Sequence, residues 1–76
     1  MRILFILLKG TAPEAEKRIR SFVETVTKLP VDRCHKFAKR PCLEVIVADQ
    51  DTDRVWDALK KSSKLLLKKS IKVLIA

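Results

Sequence analysis

Asparagine and tyrosine are missing from this 76-residue chain, and glycine, glutamine, histidine and tryptophan occur once each. Only two residues are cysteine, too few for a disulfide framework. Scarce thermolabile amides with many charges are a composition of thermophilic proteins, and we expect such a source. Long apolar runs are absent. "ILFILL", residues 3–8, is closed by Lys9 and falls far short of the ~20 residues that span a bilayer. No small-residue cleavage site follows it cleanly, so it does not read as a secretory signal. These absences predict a soluble, cytoplasmic protein with free thiols and no membrane partner.

What is present suits one domain, residues 1–76. Hydrophobic residues make up 47% of the chain, and disordered chains are poorer in Ile, Leu and Val. A domain of this size buries only about 60% of its unfolded surface, so its core is thin. A subunit interface would add to it. Lys and Arg outnumber Asp and Glu by 17 to 9, a net charge of +8. That excess favours anionic partners through long-range attraction.

The apolar pattern divides the chain into six elements. "RILFILL" (2–8) is apolar on both faces, the mark of a central strand. Thr11 and Glu14 form a capping box, with Pro13 in the first turn. From residue 12 to 29, Ala15, Ile19, Phe22, Val23, Val26 and Leu29 keep helical spacing, and Pro30 ends the run. "VDRCHKFA" (31–38) reads as a polar edge strand and "KRP" as a turn. "CLEVIVA" (42–48) is β-branched and mostly apolar, so it reads as an inner strand. Asp51 is placed to cap a second helix, about 52–68, whose inner stripe is Val55, Trp56, Leu59, Ser62, Ser63 and Leu66. "SIKVLIA" (70–76) alternates as a last strand. The two halves match at an offset of about 40 residues. Right-handed crossovers then place the first and third strands centrally, with two helices on one face. The predicted class is α+β, a ferredoxin-like βαββαβ sandwich with a four-stranded antiparallel sheet.

Glu44 orients that sheet. A carboxylate belongs in water, so Leu43, Val45 and Val47 should face the helices, as should Ile3, Phe5 and Leu7. The open face then carries Leu4, Ile6, Leu8, Ile46 and Leu74, beside Glu44 and Lys72. Such an apolar patch marks an interface, and it predicts a homodimer packed sheet to sheet. Pairing through the outer strands is the competing geometry.

"RCHKFAKRPC" (33–42) concentrates Cys34, His35 and Cys42. Opposite placement of the cysteines would set Asp32 against Glu44, whereas a register shifted by four pairs Lys36 with Glu44 and turns over "KRP". The shifted register separates the thiols and predicts that both are free. Three soft ligands without a C-x-x-C spacing do not make a zinc site, although ligands from a second subunit could complete one. "DQDTD" (49–53) begins like a calcium loop but has Arg54 and Lys60 where Gly and Glu are required. Phosphate-binding glycine motifs are absent, and no catalytic set converges. No cofactor is expected, and an enzyme is the minority reading.

Positive charge clusters twice. Lys60, Lys64 and Lys68 recur at four-residue intervals, flanked by Lys61 and Lys69. The hairpin adds Arg33, Lys36, Lys39 and Arg40. The leading expectation is a small basic binding module, dimeric, whose Lys60, Lys61, Lys64, Lys68, Arg33, Lys36, Lys39 and Arg40 contact nucleic-acid phosphates without sequence preference. Stacking readout by the central strands is not expected, because "CLEVIVA" has no aromatic residue and Phe5 points inward. The alternative is an ACT-like regulatory or protein-interaction module that takes a small ligand or partner at a subunit interface.

Overall fold

The computed structural model describes residues 1–8 and 13–75. Its elements are β1 (Arg2–Leu7), α1 (Pro13–Thr27), β2 (Arg33–Phe37), β3 (Arg40–Ile46), a 3-10 turn (Asp49–Asp51), α2 (Thr52–Lys61), α3 (Ser63–Lys68) and β4 (Ile71–Ile75). The strands form one open antiparallel sheet in the order β2-β3-β1-β4. The two most apolar strands, β1 and β3, are its centre. Each is flanked on both sides, so each can bury side chains above and below the sheet.

Ile3 pairs with Val45 and Ile75, and Phe5 pairs with Leu43 and Val73. These residues share the face beneath the helices. Ile19 and Val23 of α1, Val55 and Leu59 of α2, and Leu66 of α3 complete one core with all of these except Ile75, which is exposed. Phe5, Val23, Val45 and Val55 have no exposed surface, and burial of such side chains contributes ~1.5–3 kcal/mol each. Arg54 ties the helices together, donating from its guanidinium to the Thr27 carbonyl at 2.9 Å. A cation there also meets the negative end of α1.

Four expectations change. The second helix is two: α2 ends at Lys61, Ser62 takes φ −98° and ψ 6°, and α3 follows. This turn lets Leu66 reach the core while Leu65 and Leu67 stay exposed. Asp51 precedes α2 but makes no side-chain cap; its carboxylate lies 3.6 Å from Arg54. Trp56, expected inward, is exposed, because β4 ends the sheet and leaves that side of α2 overhanging. The Thr11–Glu14 capping box lies outside the described residues.

The fourth change is the hairpin. Its register sets Arg33 against Glu44, Cys34 against Leu43, His35 against Cys42 and Phe37 against Arg40. The turn is Ala38–Lys39, with φ of 49° and 68°, in place of "KRP". Two positive φ values make the tight turn that suits the twist of two-residue hairpins. Pro41 therefore begins the inner part of β3. It has no N–H to offer β1, whose described pairing with β3 stops at Ile6 and Cys42.

Candidate binding surface

Alternation along the strands sends a second set of side chains away from the helices. Arg2 and Ile46 face each other across β1 and β3, as do Leu4 and Glu44, and Ile6 and Cys42. Arg33, His35 and Phe37 join them from β2, and Lys72 and Leu74 from β4. The centre of this face is apolar but not bare. Leu4, Ile6 and Cys42 are buried and Leu74 packs half-buried against them. Leu8 and Ile46 are the exposed members of the expected patch, at 45% and 50%.

Glu44 organises the polar groups of that face. It points to the open face as expected, yet it is only 3% exposed, which corrects the expectation of a solvated carboxylate. The Arg2 Nε lies 2.8 Å from its Oε1, and His35 Nε2 lies 3.4 Å from its Oε2. A buried carboxylate demands such partners. Arg40, at the other end of the face, donates to the Leu8 carbonyl at 2.6 Å. The face thus bears the permanent cations Arg2, Arg33, Arg40 and Lys72 and, among the described residues, one carboxylate, which Arg2 already engages. Phe37, beside Arg40 in the register, is 41% exposed.

The eight basic residues expected to act together occupy two sides of the molecule. Arg33 and Arg40 lie on the open face. Lys36 pairs with Pro41 on the helix side of β2, and Lys39 sits in the turn. Lys60 and Lys61 end α2, and Lys64 and Lys68 lie on α3. The break at Ser62 divides the expected lysine ridge. Lys60 Nζ sits 5.7 Å from the Trp56 ring centre, and Lys69 Nζ sits 5.2 Å from that of Phe22. Arg2, His35 and Phe37 were not foreseen as part of a basic face. Strand parity counted from Glu44 would have found Arg2, but β2 needed the observed register.

Both cysteines are free, though for a different reason than their expected separation. Cys34 and Cys42 point to opposite faces of the sheet, so their β-carbons diverge. Cys34 is exposed beside α1, with its sulfur 3.7 Å from the Arg20 guanidinium. Cys42 is buried, and burial, followed by the nearby Glu44 charge, pushes its thiol pKa up. Among the described residues, no group of three or more His, Cys, Asp or Glu stands ready to hold a metal ion.

A groove of about 520 Å³ runs along the outer edge of β4. Trp56 and Leu59 of α2, Leu66 and Leu67 of α3, and Val73 and Ile75 of β4 form its apolar walls. Lys60 and Lys72 are the charged residues that line it. Among the described residues, no helix is long and apolar enough to cross a membrane. No family model matches the chain, and no curated protein or solved structure matches it significantly.

Proposed function

We propose that the chain is a ferredoxin-like binding module whose open sheet face contacts the phosphates of nucleic acid. The observation that carries this reading is the charge of that face: it bears Arg2, Arg33, Arg40 and Lys72 against a single carboxylate, Glu44, among the described residues. The central placement of β1 and β3 supports the fold assignment. Guanidinium groups suit phosphate because their planar fork donates two parallel hydrogen bonds. Exposed Phe37 offers one ring on which an unpaired base can stack, which favours single strands over duplex. Recognition is then led by phosphate, with little sequence preference.

The sheet-to-sheet dimer through Leu4, Ile6, Leu8, Ile46 and Leu74 competes for the same face. Leu4 and Ile6 are already covered within one chain, and two such faces would bring like charges together. We therefore assign the face to polyanion binding in place of self-association.

The test is fluorescence anisotropy with a random-sequence single-stranded oligonucleotide. The variant Arg33→Glu/Arg40→Glu should lose at least about tenfold in affinity, since each removed phosphate contact carries part of the counterion-release term. Lys64→Glu/Lys68→Glu, on the helix side, should lose much less. Equal losses in the two variants would assign binding to net charge alone and remove the open face from the proposal.

A further inference from the structure

The β4 groove lies beside the open sheet face, with only Leu8 and Lys72 shared at its rim. We infer that it is a strand-addition site for an extended, acidic segment of a partner protein. This goes beyond polyanion binding and uses a different edge of the molecule.

The backbone supplies the first argument. The Leu8 N–H donates to the Ser70 carbonyl at 2.9 Å, and β4 continues antiparallel to β1 from Leu7↔Ile71 to Ile3↔Ile75. In an antiparallel ladder, hydrogen-bonded pairs alternate with non-bonded ones. Ser70, Lys72 and Leu74 therefore turn their peptide groups toward β1. Ile71, Val73 and Ile75 turn theirs outward, along the free edge of the sheet. An extended chain would satisfy these groups, whereas an acyl chain or a ring could not.

Side chains supply the second. A strand added beside β4 sends alternate residues to the two faces of the sheet. On the helix side they meet Trp56, Leu67 and Ile75, exposed at 42%, 77% and 46%. Tryptophan in a partly open apolar pocket is the residue type that most often dominates recognition. The opposite free edge, β2, lacks such walls: its residues are exposed or half-buried, and most are polar.

Charge selects the occupant. Lys72 stands on the open-face side of β4 and Lys60 stands over Trp56 on the helix side. No carboxylate lines the groove among the described residues. An incoming segment with acidic residues at its flanks is complementary to both lysines. A second copy of this chain is not, since each brings +8 and its own pair of lysines.

Trp56 is the single indole of a chain without tyrosine, so it reports occupancy directly. The probes are two synthetic peptides, one alternating valine with glutamate and one alternating valine with lysine. The glutamate peptide should shift Trp56 emission and slow hydrogen exchange at the Val73 and Ile75 amides, with affinity at least about tenfold above that of the lysine peptide. Lys60→Glu/Lys72→Glu should reverse the preference. Val73→Pro removes an outward N–H, spares the bonds to β1 and should weaken binding in the same assays. Equal affinity for the two peptides, or no response at about 1 mM, overturns the inference. So does an emission change with freely exchanging amides, which marks a small amphiphile. Amide protection that rises with protein concentration alone also overturns it, in favour of a second copy.

Discussion

Glu44 shows how one side chain can organise a face. Its carboxylate is buried beneath Arg2 and approached by His35. Removing one partner of such a pair strands a charge, while replacing the acid by an apolar residue of similar size removes the desolvation cost altogether. Arg2→Ala should therefore lower stability by about 1.5 kcal/mol, the low end for a charged hydrogen bond, because half of the Arg2 side chain is solvated. Glu44→Leu should cost almost nothing, since it joins the cluster of Leu4, Ile6 and Cys42. Urea denaturation checks both; a larger loss in Glu44→Leu than in Arg2→Ala would mean the carboxylate itself stabilises the fold. The thiols offer a second residue-scale prediction. One of them, Cys34, should react with a disulfide reagent in the native protein, and Cys42 only after unfolding. A thiol is neutral when protonated, and the Cys42 pKa is raised. The folded chain thus keeps a proton that the unfolded chain has lost. Its contribution to stability is full below the ordinary thiol value of about 8.5 and falls as pH rises beyond it. Cys42→Ala should flatten that alkaline decline in denaturation midpoint.

At the scale of elements, the β2–β3 hairpin stands out. Its two turn residues occupy the left-handed region without a glycine, at a cost of ~1–2 kcal/mol each. Lys39→Gly should relieve that cost and return part of it as unfolded-chain entropy, for a net gain of about 0.5–1 kcal/mol. Thermal melts measure it, and a loss of stability would show that the lysine side chain is held in place by contacts. The turn also explains why hairpin register was not legible from charge pairing. Pairing Lys36 with Glu44 satisfies one ion pair, but in the observed structure Glu44 finds its partners in Arg2 of β1 and His35 of β2 instead. The observed register also lets the core face of β2 align Cys34 with Leu43. The helix break at Ser62 was equally hidden. "KLLLKK" contains three consecutive leucines, and such a run carries no helical phase until a core selects Leu66.

For the whole molecule, net charge and the location of charge are separate facts. The +8 balance predicts attraction to polyanions. It does not say whether the open face or the helix layer makes contact. If four cations on the open face engage phosphates of a single strand, log affinity should fall with log salt at a slope near −3. A slope twice as steep would mean that helix-layer lysines also bind. The two edges of the sheet differ as well. β2 is mostly polar, while β4 is backed by an apolar groove, so the proposed strand addition uses one edge alone.

Element identity, the central positions of β1 and β3, and the two faces of the inner strands were determined by the sequence itself. Each follows from local periodicity and, for the strand order, from the right-handed crossover rule, neither of which needs knowledge of distant side-chain contacts. Ile3, Phe5, Leu7, Leu43 and Val45 were thus legible as core, and Glu44 as a member of the opposite face. Tertiary structure alone decided the hairpin register, the division of the second helix and the burial of Glu44. It also separated Arg33 and Arg40 from Lys64 and Lys68, and left Trp56 over the end of the sheet. These depend on which surfaces meet: one-residue shifts of register and the finite width of a four-stranded sheet change a side chain's neighbours without changing its local pattern.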